Sequence, residues 1–138
     1  MKTYEVVAGV IVHQGKILCM QRSKGKFDYI SYKYEFPGGK IEIGESRVDA
    51  LKRELIEEMD MKVEVHEDKK FMTVNHEYPD FKIIMHSYLC EVEKPEFKLK
   101  EHISFQWLRK DELKQLDWAE ADLPIVFKLI GAQSNGNF

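Results

Sequence analysis

A long apolar run lies close to the N-terminus of the chain. Val6–Val12 reads Val-Val-Ala-Gly-Val-Ile-Val, and a β-branched run without a polar interruption is typical of a strand buried on both faces. Gln14 and Gly15 then have the composition of a tight turn, and Lys16–Gln21 is the returning strand. The pattern therefore predicts a hairpin whose first strand is central to a sheet.

Further strands are predicted along the rest of the chain. Phe81–Val92 carries apolar residues on both alternating faces, which suits a sheet covered on two sides. A turn at Tyr78–Asp80 joins it to Lys70–Glu77, because Pro and Asp favour turn geometry. Shorter strands are expected at Tyr34–Phe36, Lys62–Val65 and Ser104–Leu108, with loops at Ser23–Lys33 and Glu93–Glu101.

Apolar residues at helical spacing predict three helices. The main one covers Arg47–Met59, with a buried stripe made of Val48, Leu51, Leu55 and Met59. Two shorter helices are predicted at Asp111–Leu116 and about Pro124–Ile130, followed by a frayed tail over residues 133–138. This order of elements predicts one domain, residues 1–138, of the α/β (α+β) class, with a mixed β-sheet sandwiched between helices.

Composition narrows the possible partners and location. The chain of 138 residues is 43% hydrophobic and 33% charged, as in a globular protein. Its net charge of -3 gives no basic surface for phosphates, so duplex nucleic acid is not an expected partner. No leader peptide or apolar span is visible, so no membrane association is expected. Cys19 and Cys90 are predicted to be free thiols, which favours a cytoplasmic location.

One face of the main helix concentrates negative charge. Glu54, Glu57 and Glu58 are spaced i, i+3 and i+4, so their carboxylates are neighbours. Carboxylates this close repel one another, and a divalent cation such as Mg²⁺ would offset that repulsion. The alternative is a solvated acidic face, which is what most charge runs are.

A glycine-rich segment and a helix cap precede this face. Pro37–Gly39 and Gly44 predict a loop that adopts positive φ and lets the backbone approach a ligand closely. Ser46 is a favourable N-cap, and Asp49 completes a capping-box-like pair. Glu45 lies just before the cap. The coincidence of these signals favours a ligand site over a solvated face.

Together these residues resemble the Nudix box. Its pattern is Gly-x5-Glu-x7-Arg-Glu-U-x-Glu-Glu-x-Gly-U, where U is aliphatic. The matching positions are Gly39, Glu45, Arg53, Glu54, Leu55, Glu57, Glu58 and Met61. Asp60 stands where the pattern has its second glycine. Asp tolerates the left-handed conformation better than most residues, so this departure bears on how the helix ends and leaves the acidic face intact.

The resemblance implies hydrolysis of a nucleoside diphosphate linked to another moiety. It also implies one to three Mg²⁺ or Mn²⁺ ions bound by Glu54, Glu57 and Glu58. The backbone carbonyl of Gly38 would be a further ligand, Arg53 would orient a box carboxylate, and Glu45 would brace the junction of loop and helix. Phosphoanhydride hydrolysis mainly requires charge neutralisation and an aligned water, which such a site supplies.

Nearly the whole chain resembles the MutT and CTP pyrophosphohydrolase branch of the family, most closely over Glu35–Glu42 and Trp118–Ile125. Enzymes of this branch convert a nucleoside triphosphate to the monophosphate and pyrophosphate by water attack at the β-phosphorus. The resemblance implies that Arg22 and Lys40 contact phosphate and that Glu101 is an outer metal ligand or base. Their alternative is an ordinary solvated side chain.

Asp122 falls at the position that reads the base edge in this branch, where the MutT enzyme has Asn. A carboxylate only accepts hydrogen bonds unless it is protonated, which suits an exocyclic amino group such as that of cytosine. The alternative for Asp122 is a cap of the last helix. Phe36, with Phe27 or Tyr29, is a candidate for stacking on the base or for the core.

The main hypothesis is a Mg²⁺-dependent nucleoside triphosphate pyrophosphohydrolase. Its substrate would be a (d)CTP-type or modified nucleotide, such as 5-methyl-dCTP or 8-oxo-dGTP, in nucleotide pool sanitation. One alternative is a Nudix hydrolase of another derivative, such as ADP-ribose or a dinucleoside polyphosphate. A non-catalytic binding module is less favoured, because the box carboxylates are retained. The expected assembly is a monomer or a homodimer. The histidines form no pair at metal-ligand spacing, so they are predicted to be structural or exposed.

Overall fold

A mixed sheet of seven strands lies at the centre of the computed structural model, which describes residues 1–133. The predicted tail falls almost wholly outside the described residues. The strands are β1 Lys2–His13, β2 Lys16–Gln21, β3 Tyr34–Glu35, β4 Gly38–Lys40, β5 Lys70–Glu77, β6 Phe81–Glu91 and β7 Ser104–Leu108. They are joined in the order β3-β2-β1-β6-β5, while β4 pairs with β1 and β7 pairs with β2.

The central pair of the sheet is parallel. β1 and β6 run side by side from the pair Lys2 and Phe81 to the pair Val12 and Glu91. The other pairs are antiparallel, including β1 with β2 and β5 with β6. The predicted central strand is confirmed, because an uninterrupted apolar run needs cover on both faces. Both predicted hairpins are also confirmed.

Two helices cover the two faces of the sheet. They are α1, Arg47–Met59, and α2, Leu123–Gln133. Alternating residues of β1 point to opposite sides, so Val7 packs with the core under α1 and Val10 with the core under α2. The predicted class, a mixed sheet between helices, is confirmed. Neither helix in residues 1–133 is long and apolar enough to cross a membrane.

The main helix begins and ends where the sequence predicts. The hydroxyl of Ser46 accepts a hydrogen bond from the amide of Asp49 at 3.1 Å. Asp60 adopts φ 49°, in the left-handed region, and its amide donates to the carbonyl of Ile56. Its carboxylate also pairs with Lys98 and Lys100 at 3.3 and 2.8 Å. The helix therefore ends normally at the one position that departs from the box.

Three local predictions are wrong. Lys62–Val65 forms no strand, although Val63 and Val65 are buried, because these side chains pack under α1 without a backbone ladder. Gly38–Lys40 is a strand and not a loop, since its backbone pairs with β1. The predicted helix at Asp111–Leu116 is a 3-10 helix over Lys110–Gln115 that begins after Arg109.

The C-terminal helix is longer than predicted. It begins at Leu123, one residue before the proline, and directly follows a 3-10 turn at Glu120–Asp122. Both cysteines are free and buried, as predicted, and burial raises the thiol pKa of each, to about 12 for Cys90.

Candidate active site

A cavity of about 710 Å³ opens beside β4 and contains most of the predicted site residues. Its walls come from β1, β4, α1, the loop after β2, the β5–β6 turn and the residues before β7 and α2. The charged side chains that line the cavity include Arg22, Glu35, Glu54, Glu58, Glu101 and Asp122. The fold thus brings together groups from distant parts of the chain.

Arg53 connects the glycine-rich segment to the acidic face of α1. Its guanidinium donates to both oxygens of Glu45, at 2.7 and 3.0 Å. It also donates to Glu54 at 2.9 Å, to Glu57 at 3.0 Å and to the backbone carbonyl of Lys40 at 3.0 Å. Hydrogen bonding to Glu45 is the largest influence that raises the pKa of Arg53 above its ordinary value. A single cation therefore positions several carboxylates at once.

Glu45 lies behind the cavity and holds the loop in place. Besides Arg53, it accepts a hydrogen bond from the amide of Glu42 at 3.0 Å. The hydrogen bond from Arg53 is the main cause that lowers the pKa of Glu45. This position suits the bracing role that the box implies for Glu45, with no contact to the reacting atoms.

Glu54 and Glu58 line the cavity and crowd each other. Burial raises the pKa of Glu58 to about 8, and the charges of Glu54 and Glu101 add to that effect. Burial likewise raises the pKa of Glu54. The Oε2 atom of Glu58 is buried and has no hydrogen-bond partner within residues 1–133. Crowded oxygen donors with an unsatisfied acceptor fit a hard divalent cation.

Glu57 lies apart from this group. Its side chain is 58% exposed and is held by Arg53, and it does not line the cavity. Glu101 is exposed at the cavity wall, and Gly38 lines the cavity from β4. Within residues 1–133, no three acidic, histidine or cysteine side chains form a ready-made group of metal ligands. Arg53 Nη1 donates to both Glu57 and the cavity residue Glu54, so it links Glu57 to the cavity carboxylates.

The two glycines of β4 are required for close packing. A Cβ added to Gly39 would overlap the carboxyl group of Glu54, and one added to Gly38 would overlap the carbonyl oxygen of Val7. Positive φ occurs at Gly44 but not at Gly38 or Gly39. The predicted close approach is therefore correct, whereas the predicted left-handed backbone applies only to Gly44.

A second polar group lies on another part of the cavity wall. Glu35 accepts from Arg22 Nη1 at 3.0 Å through one oxygen, and its other oxygen is 2.9 Å from His102 Nε2. Burial alone would raise the pKa of Glu35. The hydrogen bond to His102 and the charge of Arg22 outweigh burial and lower it. Glu35 is therefore ionised inside the cavity wall.

Asp122 is buried next to this group. Its Oδ1 accepts the backbone N–H of Phe36 at 3.0 Å. It is the last residue of the 3-10 turn and directly precedes α2, so the alternative that it caps the last helix stays a prediction. Burial, followed by the nearby charge of Glu35, raises the pKa of Asp122 well above its ordinary value. The shift is toward the protonated form, which can donate a hydrogen bond as well as accept one.

Aromatic rings form the remaining wall. Phe36 is 3% exposed, with its ring stacked on Trp118 at 4.7 Å, so most of this side chain belongs to the core. Tyr29 stacks on Phe27 at 5.2 Å and on Tyr78 at 5.4 Å. Of the rings of Phe27, Tyr29 and Tyr78, those of Phe27 and Tyr78 line the cavity. Tyr78 is only 3% exposed, so Phe27 is the better placed of the two to contact a base.

Lys40 lies at the edge of the cavity. Its ammonium is 4.3 Å from the centre of the Tyr4 ring. This position is compatible with either predicted role for Lys40, phosphate contact or solvated cation.

Sequence reasoning missed two members of the site. Glu35 lies within the segment most similar to the MutT branch, yet no motif of ligand spacing singles it out. The sequence predicts that His102 is structural or exposed, because it has no histidine partner at metal-ligand spacing. His86 does fit that expectation, being buried in the sheet with its Nε2 2.7 Å from a Glu5 oxygen. The partner of His102 is 67 residues away, so only the fold reveals it.

Comparison with known proteins agrees with the site. The NUDIX domain family matches residues 3–129. The CTP pyrophosphohydrolase of Escherichia coli (strain K12) is 35% identical over 130 residues, covering 91% of this chain and 90% of the relative. The 8-oxo-dGTP diphosphatase of the same strain is 30% identical over 129 residues, covering 94% and 98%. The solution structure of the E. coli ORF135 protein matches with a TM-score of 0.82 at 31% identity, covering 98% and 94%.

The chain therefore belongs to the Nudix hydrolase family, as its box residues predict.

The paired glycines give a first prediction. Gly39→Ala should displace the Glu54 carboxyl group and lower kcat/KM at least about tenfold while leaving the fold intact. Gly38→Ala should instead destabilise the fold by about 1–3 kcal/mol, because its Cβ meets backbone that cannot move aside. Urea unfolding and hydrolysis assays measure the two effects. A Gly39→Ala enzyme with full activity would contradict the packing argument.

A second prediction concerns the carboxyl group of Glu58 in the protein without metal. Because the folded-state pKa of Glu58 is raised to about 8, its contribution to stability is present below its ordinary pKa and is lost as the pH rises through about 8. Glu58→Gln removes this ionisation, so the variant should melt at a higher temperature than the parent at pH 8.5. At pH 5 the variant and the parent should have similar melting temperatures. Glu57→Gln, at the exposed neighbour, is the control. Equal pH profiles for the parent and Glu58→Gln would contradict the prediction.

Proposed function

We propose that the chain is a divalent-cation-dependent nucleoside triphosphate pyrophosphohydrolase, with Mg²⁺ as the ordinary cofactor and Mn²⁺ as a substitute. The reaction would convert a nucleoside triphosphate and water to the monophosphate and pyrophosphate. The observation that carries the proposal is the cavity itself, which places crowded carboxylates on one side and Arg22, Asp122 and aromatic rings on another. The relatives named CTP pyrophosphohydrolase and 8-oxo-dGTP diphosphatase support it.

The acidic side of the cavity would hold the metal. The ligands would be Glu54, Glu57, Glu58, Glu101 and the carbonyl of Gly38. A bound cation supplies neutralisation of phosphate charge and a more acidic water. Arg53 and Glu45 keep the carboxylates in place through the hydrogen bonds described above.

Arg22 and Lys40 would contact the phosphates. Arg22 lines the cavity with 38% of its side chain exposed, so its guanidinium can reach a substrate oxygen. Lys40 adds a mobile positive charge at the edge of the cavity.

Asp122 would read the base. In its ionised form it accepts from an exocyclic amino group, as on cytosine, and in its protonated form it also donates to a base carbonyl. Burial raises the pKa of Asp122 well above its ordinary value, which shifts the group toward the protonated form. We therefore propose (d)CTP-type or modified nucleotides, including 5-methyl-dCTP and 8-oxo-dGTP, as the substrate class.

The proposed cellular setting is a reducing compartment such as the cytoplasm, which two buried free thiols support. A monomer or homodimer that binds neither duplex nucleic acid nor membrane remains a prediction.

The proposed reaction is tested by pyrophosphate release from CTP, dCTP, 5-methyl-dCTP, dGTP and 8-oxo-dGTP with Mg²⁺. At least one of these substrates should be consumed, and chelation should abolish turnover. Glu57→Gln should lose turnover and remain folded, because a neutral amide is a poorer cation ligand. Release of phosphate alone, or turnover only of ADP-ribose or a dinucleoside polyphosphate, would overturn the proposed substrate class.

The base-reading role is tested by Asp122→Asn with the same substrates. The amide keeps the acceptor for the Phe36 N–H but cannot ionise, so relative kcat/KM should move away from cytosine nucleotides by about tenfold. Asp117→Asn, at an exposed carboxylate paired with Lys33, is the matched control. Unchanged relative rates in Asp122→Asn would show that Asp122 does not discriminate between bases.

A further inference from the structure

A chain of three side chains runs along the cavity wall from the segment before β7 to the end of β2. His102 is buried, with 9% exposed, and its Nε2 is 2.9 Å from Oε2 of Glu35. The other oxygen of Glu35 accepts from Nη1 of Arg22 at 3.0 Å. All three residues line the cavity, and none of these contacts is between neighbours in sequence.

The geometry assigns a donor to each contact. A ring nitrogen that faces a carboxylate at this distance must carry the proton, because two acceptors would repel each other. His102 therefore donates to Glu35, and Glu35 has both oxygens occupied. A carboxylate held at both oxygens has little freedom to rotate.

The last member of the chain is the one that can meet a substrate. Arg22 donates to Glu35 through Nη1, while its Nε is buried and has no partner within residues 1–133. Since a guanidinium is planar and rigid, fixing Nη1 also fixes the direction of the other N–H groups. The orientation of the guanidinium thus depends on Glu35, and the orientation of Glu35 depends on His102.

We propose that His102 is a positioning residue for nucleotide binding, which acts through Glu35 to orient the partly exposed guanidinium of Arg22 toward the substrate. The proposal rests on the proposed function for its substrate. His102 also follows Glu101, so the competing explanation is that it positions Glu101 in the acidic group. The two routes differ in kinetics: loss of Arg22 alignment raises KM, whereas loss of Glu101 alignment lowers kcat.

Two substitutions of His102 with different side-chain lengths test its contact with Glu35. In His102→Gln the amide nitrogen can occupy the place of Nε2, whereas the side chain of His102→Asn is one methylene shorter and cannot reach Glu35. His102→Asn should raise KM about tenfold with kcat within about twofold, and His102→Gln should stay within about threefold of the parent in KM. His66→Gln, at an exposed histidine outside the cavity, is the control and should match the parent.

A double-mutant cycle with Glu35→Gln tests the route. If His102 acts through Glu35, His102→Asn should add less than about twofold to KM in the Glu35→Gln background. The same tenfold cost in both backgrounds, a loss confined to kcat, or a tenfold rise in KM for His102→Gln would each overturn the proposal. A tenfold rise in KM for His102→Gln would overturn the proposal even if His102→Asn fails to fold.

A spectroscopic measurement separates this proposal from the proposed function. In the nucleotide-free protein, the NMR resonance of the Arg22 Nε–H should move in His102→Asn and stay close to the parent position in His102→Gln. Unchanged resonances in both would overturn the positioning role. If the parent hydrolyses no triphosphate but the resonance behaves as expected, the proposed function fails while the positioning of Arg22 stands.

Discussion

The placement of one guanidinium determines the rest of the acidic site. Arg53 is on α1, yet it also donates to Glu45 in the preceding segment and to the carbonyl of Lys40 on β4. These contacts hold the glycine strand against the helix, and Gly39 then lies so close to Glu54 that no side chain fits between them. Without this cation, the adjacent carboxylates would repel one another.

The cavity uses burial and neighbouring charge to give its carboxyl groups different properties. Glu35 faces a cation and an imidazole, which lower its pKa in spite of burial. Glu58 and Asp122 are buried among other carboxylates, which raises their pKa values. Groups of the same chemical type can therefore act as fixed charges, metal ligands or hydrogen-bond donors, according to their surroundings.

Several structural features could be predicted because their causes are local. The limits of α1 follow from Ser46, which caps its first turn, and from Asp60, which tolerates the left-handed conformation after its last turn. The hairpins follow from turn residues between apolar runs. The strand at Gly38–Lys40 could not be predicted in this way, because glycine-rich segments form strands only when a partner such as β1 is placed beside them.

The sequence by itself determined the family, the mixed fold and the acidic face of α1, since each depends on residues at short, regular spacing. Only the tertiary structure shows the hydrogen-bond partners of Glu35, His102 and Asp122. Asp is a residue type that commonly caps helices, yet Asp122 accepts a hydrogen bond from the backbone N–H of Phe36, which is 86 residues away. The physical reason is that pKa values and hydrogen-bond partners depend on burial and on the charges nearby, and these are set by segments that meet only in the folded chain.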